Sequence, residues 1–242
     1  MSEIRLQKFL SQAGICSRRK AEQFILEGHV QVNGNTVRIL GTKINPDCDH
    51  VQVFGKKASI CPQLIYIALN KPRGVVTSCH HPGEKIVTDF VRLSQRLFPI
   101  GRLDKDSSGL LLLTNDGQLH QMISHPSFDH EKEYDVTVRQ AISDQELQLM
   151  ASGIVLNHKR TRPAVVFRNG PDRFSITLKQ GRNRQIRRML AKLNHKVKSL
   201  HRIRIDHIQL EKLKSGKWRY LTQKEIQRFF SSADMKKICS KH

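Results

Sequence analysis

Acidic side chains are scarce in this sequence. Its 242 residues hold 21 Asp and Glu against 42 Lys and Arg, a formal charge of +21. Such a field repels itself unless an anionic partner neutralises it, so nucleic acid is the expected partner. Long apolar runs are missing too. No segment approaches the roughly 20 apolar residues needed to span a bilayer, and the N-terminus lacks the apolar stretch of a signal peptide. A soluble protein of the cytoplasm, with no membrane partner, is the expectation. Paired cysteines are absent: Cys16, Cys48, Cys61, Cys79 and Cys239 are far apart and form no C-x-x-C. That spacing leaves a zinc site unsupported and fits free thiols in a reducing compartment. Neither a P-loop nor a G-x-G-x-x-G occurs, so no nucleotide cofactor is indicated. Aromatic residues make up only 6% of the chain. Binding of single strands by serial stacking is therefore disfavoured, and recognition of folded RNA through backbone and shape fits better.

What is present falls into two parts. Leu6, Phe9, Leu10 and Ala13 recur at helical spacing, with Gly14 as the stop. Ser17 is placed to cap a second helix carrying Ala21, Phe24 and Ile25, which ends at Gly28. His29 to Val32 then alternates, Asn33-Gly34 supplies a two-residue turn, and Thr36 to Ile39 returns. Arg18, Arg19 and Lys20 occupy the first turn of the second helix, where the macrodipole disfavours cations. Three together at that pole favour a phosphate-contacting surface over a merely solvated helix end. Phe54 to Pro62, with a Gly, a Lys pair and a Pro, reads as a linker.

From Leu64 onward strands dominate. Leu64 to Asn70 is an apolar run closed by a Lys-Pro-Arg-Gly turn, and Leu110 to Thr114 is a short four-leucine run suited to a buried strand. Tyr134 to Val138 and Phe174 to Leu178 alternate as half-buried strands do. Helices are expected at 118–124, 143–152 and 185–193. The irregular mixture argues for an α+β fold over a doubly wound sheet. The last dozen residues, with Lys236, Lys237 and Lys241, read as a frayed basic tail.

Two segments invite chemistry. Gly101 to Leu110 places Asp104, Asp106, Arg102, Lys105, Ser107 and Ser108 in a loop before the leucine strand, where a rigid scaffold can hold reactive groups. Physics alone does not rank Asp104 against Asp106, and for an arbitrary loop of this composition a turn capped by Asp and Ser is the better account. Lys179 to Arg204 carries ten Lys or Arg and no acid. Within it Arg182, Arg184, Arg187 and Arg188 surround an amphipathic helix, an arrangement suited to phosphates and to bidentate capture of a carboxylate.

These motifs resemble two known families. Arg5-Leu6-Gln7-Lys8-Phe9-Leu10, Gly14 to Arg19 and Gly28 to Gly34 are similar to the S4 RNA-binding domain. Ala68 to Gly74, Phe98 to Asp106, Gly109 to Asn115, His130 to Tyr134, Gln180 to Met189 and Arg202 to Ile205 resemble, in order, the pseudouridine synthases of the RsuA/RluF type. The wording around Asp129 to Tyr134 and Asn183 to Arg187 is most like the RluF branch, which acts on large-subunit ribosomal RNA. The resemblance implies an S4-like domain at 1–53, a linker at 54–63, a synthase domain at 64–230 built on a mixed, mainly antiparallel sheet, and a tail at 231–242. It implies breakage of the C1′–N1 bond of a uridine and rejoining through C5, with no cofactor and no metal.

In that family the catalytic carboxylate matches Asp104, with Arg187 as its partner; a nearby arginine favours the charged form. Tyr134 matches the tyrosine that packs on the uracil. Arg102 matches the residue that helps displace the target nucleotide, and Ile203 the apolar wall of the pocket. Arg5, Lys8, Arg18, Arg19, Lys20, Lys71, Arg182, Arg184 and Arg188 are the expected RNA contacts, although for Lys71 completion of a Lys-Pro turn is the safer reading. The implied partner is ribosomal RNA, bound by a monomer. A non-catalytic RNA clamp, or the same chemistry on transfer RNA, competes with this expectation.

Overall fold

The helical spacing near the N-terminus becomes two short helices in a computed structural model that describes residues 3–60, 63–124 and 129–239, with backbone only from 232 onward. Strand β1 (Ile4–Arg5) leads into α1 (Leu6–Gln12), which stops before Gly14 at φ +75°. Helix α2 (Arg18–Leu26) starts at Ser17, whose hydroxyl accepts from the Lys20 amide at 3.2 Å. That bond satisfies one of the orphan donors of the first turn. Gln7, buried on α1, donates to Glu22 on α2 at 3.2 Å and ties the pair together.

A hairpin follows: β2 (Val30–Val32) and β3 (Asn35–Thr36) join through Asn33 and Gly34, at φ +51° and +81°. The returning strand is shorter than expected; it ends at Thr36, and Ile39 is exposed. Next come β4 (Lys43–Ile44), which pairs with β1, then β5 (Val51–Val53) and β6 (Lys56–Ala58). The order β3-β2-β5-β6 makes a four-stranded sheet. Part of the expected linker is therefore structural. Lys56 to Ala58 forms an edge strand, and Ala58 is buried in the same core as Leu6, Leu10, Ile25, Val30 and Val53. Cys61 and Pro62, also assigned to that linker, lie outside the described residues.

The chain divides into two compact units, Met1–Ile65 with Leu93–Arg96 and Asn115–Gly117, and the remainder. The larger unit holds β7 (Tyr66–Lys71), β8 (Phe98–Ile100), β9 (Ser108–Thr114), α3 (Gly117–Ser124) and β10 (Lys132–Val138). After these come α4 (Asp144–Ser152), β11 (Val155–Leu156), β12 (Lys159–Arg160), β13 (Val165–Arg168), β14 (Arg173–Leu178) and α5 (Gln185–Lys192). The unit closes with β15 (Val197–Ile205), β16 (Ile208–Gln209), β17 (Trp218–Tyr220) and α6 (Gln223–Cys239). Helix α6 thus carries helical backbone into 231–239, part of the segment expected to be a tail; Lys241 lies outside the described residues. Among the described residues, no helix is long and apolar enough to cross a membrane.

Nine strands form one sheet along the path β13-β14-β10-β15-β9-β7-β17, with β16 on β15 and β8 on β9. The ladders are antiparallel except β9 with β15, so the fold is α+β with a mixed, mainly antiparallel sheet. Two apolar cores serve this sheet. Val136, Phe174 and Ile176 pack with Met150, Ile186 and Leu190 at one end. Ala68, Leu110 and Leu112 pack with Leu119, Ile205 and Phe229 at the other. All four leucines from Leu110 to Leu113 are buried, as a strand covered on both faces requires.

The parallel pairing is where the sheet is least forgiving. Gly109 pairs with Arg202 at φ +107°, and a Cβ at Gly109 would overlap the Arg202 backbone. Only glycine lets the two strands meet there. Gly109→Ala is predicted to cost about 3 kcal/mol through combined overlap and backbone strain. The check is urea unfolding followed at Trp218, the sole tryptophan, on β17 of this same sheet. A midpoint equal to the parent's would show that the β9–β15 approach is loose.

Candidate active site

The loop from Gly101 to Ser107 is held from several sides before it enters β9. Ser107 is buried, and its amide donates to the Asp104 carbonyl at 3.0 Å, turning the chain. The Ser107 carbonyl accepts from Lys71 Nζ at 2.7 Å. The Ser107 hydroxyl accepts from Arg187 Nη2 at 3.2 Å, and the same nitrogen donates to the Asp106 carbonyl at 2.9 Å. Thr77 adds a two-way clasp on Leu103: its hydroxyl donates to the Leu103 carbonyl at 2.7 Å and accepts from the Leu103 amide at 3.2 Å. The loop is thus fixed by backbone bonds, and the Asp104 side chain is left to face outward.

Two guanidinium groups meet that carboxylate. Arg184 Nη1 lies 3.7 Å from Asp104 Oδ2, and Arg187 Nε lies 3.9 Å from the same oxygen. Arg184 also reaches Asp106 at 4.0 Å. Arg184 stands at the N-cap of α5 with φ +50°, a left-handed conformation that turns its side chain out of the helix path. Burial and the neighbouring Arg184 both weaken the hold of Arg187 on its proton, while Asp104 and Asp106 oppose them. Arg187 Nε is buried without a hydrogen-bond partner, so a small movement of Asp104 would convert ion pairing into a hydrogen bond. Loose contacts of this kind commonly tighten when substrate arrives.

A cleft of about 660 Å³ opens over this corner. Its polar lining includes Arg102, Asp104, Lys132, Tyr134, Arg182 and Arg184, and its apolar walls Leu178, Ile186, Leu200 and Ile205. The volume lies within the range of small-ligand sites, and the mixture of apolar walls with a few aimed charges is their usual composition. Tyr134 on β10 sits opposite Arg202 on β15, and the guanidinium carbon is 5.9 Å from the ring centroid. Arg202, 2% exposed, donates from Nε to the Leu110 carbonyl at 2.7 Å and lines the cleft between Asp104 and Tyr134.

The expected residues part company here. Arg102, Asp104, Tyr134, Arg182 and Arg184 share the cleft, with Arg187 against Asp104. Ile203 does not line it. Glu133 pairs with Arg204 and Tyr134 with Arg202, so Ile203 is the extra residue of a β-bulge. The bulge breaks the alternation and brings Arg202 and Ile205 to the cleft instead.

Lys71 is also corrected. It is 0% exposed, and Nζ donates to the Pro72 and Ser107 carbonyls, so it fastens the loop rather than reaching an RNA backbone. Arg182 donates to the carbonyls of Lys159 and Arg160, at 3.0 and 2.8 Å, and Arg188 donates to Asn157. Arg5, Lys8, Arg18, Arg19 and Lys20 belong to the smaller unit, where the last three are exposed at the start of α2. Ser107, Lys132, Arg202 and Ile205 were missed. Lys132 stands two residues before Tyr134 and therefore on the same strand face, which was the available signal.

Sequence comparison agrees with the geometry. Residues 65–192 match the model of the RNA pseudouridylate synthase family, and residues 4–49 match the S4 domain. The chain belongs to the RNA pseudouridylate synthase family. It is 43% identical to the dual-specificity RNA pseudouridine synthase RluF of Escherichia coli (strain K12), over 93% of this chain and 78% of that protein. It is 40% identical to the ribosomal large subunit pseudouridine synthase B of Bacillus subtilis (strain 168), over 95% and 97%. A crystal structure of a pseudouridylate synthase superposes with a TM-score of 0.70 at 32% identity, covering 93% of this chain and 99% of that one. The carboxylate, the two arginines and the tyrosine therefore lie together in a member of a family that isomerises uridine.

The buried lysine under the loop yields a pH test. Desolvation pushes Lys71 from 10.5 down to about 8, with Asp104 opposing the change. Between those values the unfolded chain binds more protons than the folded one, so stability rises with pH across the window. At about 1.36 kcal/mol per pH unit the rise due to Lys71 is roughly 3 kcal/mol. Lys71→Met is predicted to remove that part of the rise, measured by urea unfolding at steps from pH 8 to 10.5. An identical pH slope in parent and variant would mean that Lys71 is not buried as a cation.

Proposed function

We infer that this chain converts a specific uridine to pseudouridine in ribosomal RNA of the large subunit, with Asp104 as the catalytic carboxylate. The observation that carries the reading is the meeting of Asp104, Arg184 and Arg187 within 4.0 Å at a cleft shared with Tyr134. A carboxylate can attack an electron-poor carbon or stabilise a developing sugar cation, and then depart unchanged. Cleavage of C1′–N1 releases the base; after rotation C5 bonds to C1′, the C5 hydrogen leaves as a proton and N1 gains one. Nothing is oxidised or reduced.

The guanidinium groups of Arg184 and Arg187 lie beside the Asp104 oxygens, where they can compensate charge that develops as the sugar reacts. Tyr134 offers its ring to the uracil, against the Arg202 guanidinium, and stands where the C5 proton departs. A glycosidic bond within a stack is out of reach, so the target nucleotide has to be extruded. In this reading Arg102, exposed on the lining of the cleft, fills the space that the nucleotide leaves. The large-subunit assignment rests on the likeness to the ribosomal large subunit synthase of Bacillus subtilis, and the net charge of +21 supports RNA as the partner. The same reading takes the protein to work as a monomer in the cytoplasm.

Asp104→Asn keeps the side-chain volume and removes the charge. In cells lacking the parent protein, this variant is predicted to leave one or a few large-subunit positions unmodified while the purified variant still binds RNA. Mapping pseudouridine across total cellular RNA reads the outcome and names the target. A map restored in full by Asp104→Asn would favour a non-catalytic RNA clamp, and loss confined to transfer RNA would move the substrate.

A further inference from the structure

The smaller unit builds the same tight turn twice with very different residues. Asn33-Gly34 and Phe54-Gly55 each join two strands through a pair of residues at positive φ, +51° and +81° in one and +51° and +73° in the other. Asn and Gly suit those positions. A bulky aromatic does not, and its presence there is a local strain that neighbouring structure has to hold. Asn33 is explained by its bonds to Asp49 and His50. Phe54 has no such role in the turn. Its ring lies 4.5 Å from His29 at 33° and 4.9 Å from Phe24 edge-on, yet it remains 56% exposed. A ring that served only to finish the core would not keep more than half its surface in water.

The charges around this cluster are basic. Lys20 Nζ stands 5.0 Å from the centroid of Phe24, on the helix whose first turn also carries Arg18 and Arg19. Lys56 and Lys57 follow the turn and are exposed. Glu27, 3.4 Å from His29, is the nearby acid. An exposed aromatic ring among cations has two complementary features for a nucleotide, a flat face for the base and charge for its phosphate.

We propose that Phe54, seated on His29 and Phe24, is a stacking platform for one unpaired nucleobase next to helical RNA held by the basic start of α2. The platform reads no sequence, since every base has a face to stack. It selects a junction between paired and unpaired RNA, which narrows where the chain settles. This inference rests on RNA as the partner but not on Asp104 as the catalytic group.

The test compares binding of the full chain to a two-strand RNA duplex with single-stranded uridine tails and to the same duplex with blunt ends. The parent is expected to prefer the tailed duplex by about tenfold, the scale of one stacked base. Phe54→Asn, which suits the turn as Asn33 does, is expected to erase that preference while leaving blunt-duplex affinity and its salt dependence unchanged. Phe54→Trp is expected to retain the preference. A parent without tail preference, or a preference that survives in Phe54→Asn, overturns the platform while leaving RNA as the partner. Failure of the parent to bind either duplex overturns both.

Discussion

Ser107 is the residue through which the larger unit holds its chemistry in place. Its amide turns back on Asp104, its hydroxyl receives Arg187 from α5, and its carbonyl receives the buried Lys71 from β7. Two distant parts of the chain, 36 and 80 residues from Ser107, converge with its own loop on one buried serine. The loop therefore cannot shift without leaving a cation or a carbonyl unpaired in the interior, a penalty of about 1–3 kcal/mol for each neutral group and more for a charge. Rigid backbone around the carboxylate is what a reactive aspartate needs, because alignment with the reacting carbon is set before substrate binds.

The excess of cations takes on a local meaning around that loop. Arg102, Arg182, Arg184, Arg202 and Lys132 line one cleft, and Asp104 is among the few acids beside them. Some of this charge is committed internally: Arg202 to the Leu110 carbonyl and Arg182 to a hairpin backbone. Arg102 is exposed on the lining of the same cleft, a space suited to a polyanion. Lys132 lies close enough to Arg202, and deep enough, that desolvation first and that arginine second push it down to about 8.

How much of this was legible depends on whether a residue's role was local. The Asn33-Gly34 hairpin, the Ser17 cap and the leucine strand follow from nearest neighbours in the chain, and they stand where their signals put them. The edge strand at Lys56 to Ala58 was concealed because Phe54 occupies a turn position that normally announces itself with Asn or Asp. Ile203 was misplaced because a bulge shifts strand parity without leaving a mark in composition. Lys71 reads as a surface lysine before a proline, and its burial exists only once β7 pairs with β9 and brings the Ser107 carbonyl over it. The pairing of Asp104 with Arg187 joins residues far apart in sequence. Family resemblance indicated it; composition alone left Asp104 and Asp106 equal.

The central claim is that the Asp104 carboxylate, beside Arg184 and Arg187, exchanges the bond at C1′ of a uridine from N1 to C5. Joining through C5 expels the hydrogen at that carbon, so tritium placed there counts each turnover. Purified protein mixed with ribosomal RNA labelled with tritium at uridine C5 should release label to water in an amount that saturates at one or a few equivalents per RNA. Asp104→Asn should release none above background while binding the same RNA. Equal release by parent and variant, or no release by the parent on any ribosomal RNA, would contradict the account.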